Sequence, residues 1–320
     1  MVFQMTIRWG IVSAGKICHD FVNALNSYPE KGDQAVVAVA ARDKSRASTF
    51  AKTHNIPKVF DSYQAMAENI AYIGALNPDH YELAKLFLSS GKHVLCEKPL
   101  CLNFKQAQSL INVAQKKKLF LMEAVWSRFA PSYLALEEEI KSGILGDIKF
   151  VEVNFGVPIC DVDRLRMKEL GGSAVLDLGV YVLQFAQFVF QEEPIKVTTA
   201  SNLNKDGVDL ADTVILDYEG GKRAVLNITA NVKLWNRAIV TGTKGRAMVC
   251  ISLIIIPSTL EYNFGNSAGL VFEAMEAARC IRLLESPRMS HKESLLLAKL
   301  EDTVRHQAGV HFDADDKEYA

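Results

Sequence analysis

Four stretches of this 320-residue chain carry side chains whose types and spacing suit chemistry on a small molecule. The first is Trp9-Gly10-Ile11-Val12-Ser13-Ala14-Gly15-Lys16-Ile17-Cys18. A turn that aims backbone N–H groups and a helix N-terminus at a pyrophosphate carries G-x-G-x-x-G/A between a strand and a helix. Ser13, Gly15 and Cys18 take those three places, so only the middle glycine is kept. It lets the backbone approach a phosphate closely. A tight turn with no ligand accounts for this segment equally well, taken alone. The second stretch is Ala40-Ala41-Arg42-Asp43-Lys44-Ser45-Arg46, at the end of the next apolar run. An NAD site places Asp or Glu there for the ribose 2′-OH. Two alanines and then Arg42, with Arg46 nearby, suit a 2′-phosphate through charge-assisted, often bidentate bonds. The stretch predicts NADP rather than NAD; solvated charges at a helix start are the alternative.

The third stretch is Cys96-Glu97-Lys98-Pro99. Its apolar lead-in, His93-Val94-Leu95-Cys96, reads as an interior strand that Pro99 ends. A lysine at the carboxyl end of a parallel strand faces the crevice where ligands bind, whereas a lone lysine is otherwise a surface charge. The fourth stretch runs from Gly171 to Tyr181, and Asp177 and Tyr181 are i and i+4 in it, on one helix face. An ionisable Asp177 in an apolar helix needs a partner or a ligand. Bonds from both residues to neighbouring backbone are the competing explanation. His80, after Asn77-Pro78-Asp79, either lines a crevice or caps a helix.

The elements that must position these residues follow from hydrophobic periodicity. Up to about residue 128, short apolar runs alternate with helical patterns, which means a parallel sheet with right-handed crossovers. Within it Ser62 is expected to cap a helix Tyr63–Asn69. After Pro131 the pattern becomes one helix and then mainly strands, with Glu219-Gly220-Gly221-Lys222 as a hairpin turn and a late helix closed by Gly309. Residues 1–128 are therefore expected to form a Rossmann-type dinucleotide-binding domain. Residues 129–320 are expected to form an α+β domain on a large, mostly antiparallel sheet, with a frayed polar tail from Phe312.

Composition narrows the classes. The chain is 49% hydrophobic and 23% charged, as in an ordinary folded protein. A net charge of −1 argues against bulk electrostatic binding of nucleic acid. No run approaches the roughly 20 apolar residues that span a bilayer. Leu253-Ile254-Ile255-Ile256 reads as part of a buried strand. The first residues read as a strand rather than a signal peptide. Six scattered cysteines without a CxxC pair suggest reduced thiols in a cytoplasmic protein and neither a zinc site nor a disulfide framework.

Taken together, GIVSAGKI, AVAARD, YIGALNPDH, HVLCEKPL, LFLMEAVWSRFAP, GGSAVLDLGVY and VTGTKG resemble the glucose-fructose oxidoreductase / inositol dehydrogenase-like family, from about Arg8 to Phe312. The resemblance implies that Ser13, Gly15, Lys16, Ile17, Arg42, Arg46, Asn77, Glu97 and Lys98 bind the cofactor. It places Lys98 and Tyr181 beside the nicotinamide, Asp177 and His80 in the same pocket, and Trp126, Arg128 and Phe155 on the substrate side. It implies hydride transfer from a carbinol carbon of a trans-dihydrodiol, or of an aldose such as D-xylose, with Tyr181 removing the hydroxyl proton. A phenol has a pKa near 10, and a neighbouring ammonium favours its phenolate. No metal is implied. A homodimer through the C-terminal sheet is expected. Two other functions fit the same residues. One is a non-catalytic nucleotide-binding or structural protein, suggested by Ser13 and Cys18 in glycine positions and by three segments shorter than the family pattern. The other is reduction of a carbonyl or imine.

Overall fold

The computed structural model describes residues 6–66, 70–250 and 258–319. The first five residues of the expected first strand, the end of the expected helix after Ser62, and the apolar run Leu253–Ile256 lie outside them. The strands are β1 (Ile7–Val12), β2 (Gln34–Ala40), β3 (Lys58–Phe60), β4 (Ile70–Ile73), β5 (His93–Glu97), β6 (Leu121–Ala124), β7 (Ile148–Gly156), β8 (Lys196–Leu203), β9 (Asp209–Asp217), β10 (Arg223–Thr229), β11 (Arg237–Gly242) and β12 (Arg246–Cys250). The helices are α1 (Lys16–Ser27), α2 (Lys44–His54), α3 (His80–Ser89), α4 (Phe104–Lys117), α5 (Pro131–Lys141), α6 (Asp163–Arg166), α7 (Val180–Phe190), α8 (Leu270–Cys280) and α9 (His291–Ala308).

Two compact units result. The first comprises Met1–Leu100, Gln108–Phe129 and Ile254–His291, and the second Cys101–Ala107, Ala130–Leu253 and Lys292–Ala320. The chain passes from the first unit to the second between residues 129 and 130. The late segment that rejoins the first unit, and the short excursion of Cys101–Ala107, were not expected.

The first unit is built on a six-stranded parallel sheet in the order β3-β2-β1-β4-β5-β6. Its strands β1, β4, β5 and β6 are short and almost wholly buried, as a sheet covered on both faces requires. Strand order reverses at β1, which is flanked by β2 and β4, and ligands bind open parallel sheets at such a point. Trp9 stacks edge-on against Phe21, which lies flat on Tyr72 with centroids 3.8 Å apart. The buried carboxylate of Asp20 on α1 accepts the backbone N–H groups of Asn263 and Phe264, which ties the late segment down. Over the described residues 61–66 turns and bends stand in place of the expected helix, and Ser62 Oγ accepts the Ala65 N–H. A one-turn apolar pattern is too short to hold a helix without a packing partner.

The second unit carries a sheet in the order β12-β11-β7-β10-β9-β8, with β7 and β10 parallel and the other pairs antiparallel. Gly220 and Gly221, with φ of 71° and 73°, close the β9–β10 connection. Helix α7 packs on β7 and β10. A Cβ on Gly179 would stand 3.1 Å from Ile228 of β10, so a glycine lets the helix start lie close to the sheet. The segment Lys168–Phe190 is long and apolar enough by average hydropathy to cross a membrane, although Asp177, Gln184 and Gln187 interrupt it; 78% of the apolar window is buried inside the protein, as in a core helix. The tail is not frayed either. Val310, Phe312 and Ala314 pack on Leu102 and Leu176, and the fully buried Arg305 donates to both oxygens of Asp315 at 2.7 and 2.9 Å. A polar composition concealed an apolar face of three alternate residues.

Candidate active site

At the end of β1, Ser13 adopts φ 90°, a conformation that glycine takes freely and serine rarely, and its N–H bonds the Ala40 carbonyl at 2.8 Å. Gly15 caps α1 with no side-chain acceptor, so the first N–H groups of the helix are left for a ligand. A Cβ on Gly15 would meet nothing nearer than 3.5 Å, so the protein's own packing does not fill that space. Both features fit a bound pyrophosphate. Cys18 stands where a third small residue lets helix and strand approach. Gly74 of the β4 end makes the room instead: a Cβ there would fall 2.5 Å from the Cys18 sulfur. Ile17 is half-buried against Gly74, and Lys16 is exposed.

A cleft of about 410 Å³ opens beside this turn, lined by Gly15, Lys16, His19, Ser45, Arg46 and Thr49 among others. Arg46 reaches the Ala14 carbonyl at 3.4 Å. Arg42 is exposed and lies 3.6 Å from Asp79, a partner the sequence did not suggest; an exposed pair of this kind is weak. At the far end of the cleft His54 Nε2 meets His19 Nδ1 at 2.9 Å. Burial, with His19 adding, lowers the His54 pKa to about 4.

Lys98 follows β5, half-buried, on a backbone clamped from two sides. His80 Nδ1 lies 2.8 Å from the Pro99 carbonyl, and Glu123 accepts the Leu100 N–H at 2.9 Å. His80 is buried, its Nε2 lies 3.2 Å from the Ala75 carbonyl, and burial lowers its pKa; a neutral ring donates to one of the two carbonyls, and the shorter contact is to Pro99. The Glu97 carboxylate turns inward and accepts the Tyr72 hydroxyl at 2.6 Å, on a strand whose successive side chains face opposite ways. Glu273, fully buried, is pushed well up by burial, with the charge of Glu97 adding. Asn77 opens a 3₁₀ turn and is half-buried. Trp126 is half-buried, and the buried Arg128 donates to the Arg288 carbonyl at 3.1 Å.

In the second unit the helix expected from Gly171 onward begins as a π turn, Val175–Gly179, before α7. Asp177 lies in that turn, nearly buried, and its partner is Arg164 of α6, in direct ion-pair contact. Gly172 lets the α6 loop come this close, since a Cβ there would lie 2.4 Å from the Leu165 carbonyl. Tyr181 is half-buried, with its ring 5.2 Å from that of Phe155 at the end of β7. The structure thus brings Asp177 to Arg164 and Tyr181 to Phe155 in one unit. In the other it gathers Ser13, Gly15, Lys16 and Arg46, and it clamps the chain around Lys98. Sequence reasoning missed Arg164, whose signal was a basic residue beside the buried Leu165 in a loop leading to Gly171-Gly172. It also missed Glu273 and the His19–His54 contact.

A parallel nucleotide-type sheet and a mixed second sheet, each carrying its own set of polar side chains, define a two-domain oxidoreductase. Residues 7–125 match the oxidoreductase family with an NAD-binding Rossmann fold and residues 133–248 match the GFO/IDH/MocA C-terminal domain, so the chain belongs to this family of dehydrogenases. Among its relatives is trans-1,2-dihydrobenzene-1,2-diol dehydrogenase of Danio rerio, 40% identical over 97% of this chain and 99% of its own. The enzyme of the same name from Xenopus tropicalis is 42% identical over 96% and 99%. The crystal structure of myo-inositol 2-dehydrogenase from Lactobacillus plantarum superposes with a TM-score of 0.83 at 16% identity, covering 95% of this chain and 98% of that one, a likeness of fold.

Proposed function

We propose that this chain is an NADP-dependent dehydrogenase of CH–OH groups, acting on trans-dihydrodiols to give catechols and on aldoses such as D-xylose to give lactones. The observation that carries the reading is the likeness, along almost the whole chain, to trans-1,2-dihydrobenzene-1,2-diol dehydrogenases. Arg42 and Arg46, after a β2 end with no carboxylate, support NADP over NAD. Ser13, Gly15, Lys16, Ile17, Asn77 and Lys98 complete the cofactor set, and Glu97 contributes by its place in the strand rather than by its carboxylate.

A bound nicotinamide would supply the acceptor for the hydride of the carbinol carbon. Tyr181 accepts the proton from the substrate hydroxyl, and Lys98 supplies an ammonium for the cofactor ribose. Asp177, oriented by Arg164, holds a second hydroxyl of the diol or sugar. Phe155, beside Tyr181, supplies an apolar surface in the second unit and Trp126 one in the first, with Arg128 fixing its own loop through Arg288. His80 orients Lys98 through the Pro99 carbonyl.

The reading places the enzyme in the cytoplasm as a homodimer through the second sheet. Exposed Phe150 and Met248 on that sheet support this, as does the ladder Thr213–Asn227–Asn154–Glu152 on its face. The test is incubation with NADP or NAD and either D-xylose or a benzene dihydrodiol. NADPH absorbance that rises with NADP and is lost in Tyr181→Phe is expected. No reduction of either cofactor by any diol or aldose overturns the reading.

A further inference from the structure

Strict alternation along β9 sends Asp209 and Asp212 to opposite faces of the sheet. The observed strand does otherwise. Leu203 of β8 stands opposite Asp209 while Asn202 stands opposite Ala211, so Leu210 is one residue too many and the strand bulges. Bulges re-aim side chains. This one turns both carboxyl groups inward, with Asp209 fully buried and Asp212 3% exposed. Asp209 Oδ2 accepts the backbone N–H of Val175 at 2.7 Å, at the first residue of the π turn that carries Asp177. The Ser173 hydroxyl supports the same carboxylate. Asp212 faces Asp209, with Ser201 opposite it on β8 and the apolar Ile228 opposite it on β10. The other charge on that turn, Asp177, is paired with Arg164 of α6. Were both aspartates ionised, Oδ1 of Asp209 and the two oxygens of Asp212 would have no well-placed donor beyond the Ser201 hydroxyl. Two like charges would also be held together there.

We propose that Asp209 and Asp212 hold one proton between them and act as a positioning pair for the turn that presents Asp177 and Tyr181 to substrate. This rests on the reading that Asp177 and Tyr181 serve the reaction. The shared proton removes the repulsion and gives an O–H···O bond across the pair. Asp209 keeps the negative charge at a helix start, where anions are favoured. Burial pushes Asp212 up to about 8, and the charge of Asp209 adds to this. Burial raises Asp209 too, while the Val175 N–H and Ser173 oppose the rise. The folded value of Asp212 therefore lies above its ordinary 3.8. The stabilisation is complete below that ordinary value and is lost as pH rises through about 8.

The test compares wild type with Asp212→Asn, whose neutral amide keeps a donor for Asp209. Melting temperature and kcat/KM are both followed from acid to alkaline pH. Wild-type melting temperature is expected to fall as pH rises from about 4 to about 8 and to level off above it, with kcat/KM falling as pH passes about 8, and Asp212→Asn to show neither fall. Asp209→Asn, which weakens the acceptor of the Val175 N–H, is expected to lower kcat about tenfold at neutral pH with the KM for cofactor unchanged, since such a bond is worth about one such factor. An identical alkaline fall of melting temperature in wild type and Asp212→Asn overturns the shared proton. A melting curve flattened by Asp212→Asn with an unchanged kcat/KM profile overturns the positioning role. If no substrate is turned over at all, the proposed function fails, while the melting series still decides the shared proton. Should Asp212→Asn not fold, the infrared band of a protonated carboxylic acid in wild type at neutral pH, bleaching through about 8, decides it; its absence overturns the proposal.

Discussion

In the first unit the lysine at the end of β5 is held by backbone: its position follows from where a parallel strand stops, and a neutral His80 and the carboxylate of Glu123 pin the carbonyl and N–H just beyond it. In the second unit the tyrosine and aspartate ride a helix turn, and that turn is held by charge, through Arg164 on one side and the Asp209–Asp212 pair on the other. A sheet that presents its strand ends to a crevice gives a site by topology. A helix on a mixed sheet has no such fixed end, so ionic and hydrogen-bonded supports must set its phase. The two modes also differ in vulnerability, since an uncompensated buried charge is costly whereas a lost backbone contact costs about one hydrogen bond.

The largest effect that sharpens this contrast is at the reacting groups. Tyr181→Phe and Lys98→Met are each expected to lower kcat by about 10²–10⁴-fold. NADPH binding, followed by fluorescence titration, should stay intact in the tyrosine variant and weaken in the lysine variant. Equal losses of binding in both would erase the distinction between the units. Next comes support. Arg164→Ala leaves Asp177 nearly buried without its guanidinium and is expected to cost about 1–3 kcal/mol in urea unfolding; adding Asp177→Asn should recover most of that. His80→Gln, removing one contact to a carbonyl, should cost about 1 kcal/mol. A larger loss at His80 than at Arg164 would break the comparison. A smaller effect concerns the cofactor: Arg42→Ala should weaken NADP about tenfold and leave NAD unchanged by isothermal titration. The smallest is at His54. Its folded value, about 4, lies below the ordinary 6.5, so the unfolded chain holds the extra proton between them. Stability of wild type should therefore fall as pH drops from about 6.5 toward 4, and His54→Gln should flatten the acid side of a melting-temperature profile.

Much of this was legible in the sequence where one period or one strand end decides the outcome. Val36 to Ala40, Arg42, Lys98 with Pro99, and the glycine pair at 220 and 221 all sit where local pattern put them. What escaped depends on contacts far apart in the chain. The Arg164–Asp177 pair joins a loop to a helix, and the π turn around Asp177 looks like plain α-helix from spacing alone. The inward turn of Glu97 was available from strand parity with Lys98, but family resemblance pointed to the cofactor instead. The pinned tail needed Arg305, a buried cation whose value lies wholly in its partners Asp302 and Asp315. The bulge at Leu210 leaves no mark in the alternation of Asp209–Asp217 that a reader of one sequence could trust.

The way the chain returns to its first unit governs the order in which the molecule can be made. Asp20 waits for Asn263 and Phe264, and α1 waits for α8. A ribosome has by then polymerised more than four-fifths of the 320 residues. The nucleotide unit is thus completed only after the strands of the second sheet have been translated, so the nascent chain carries an uncovered α1 surface through that interval.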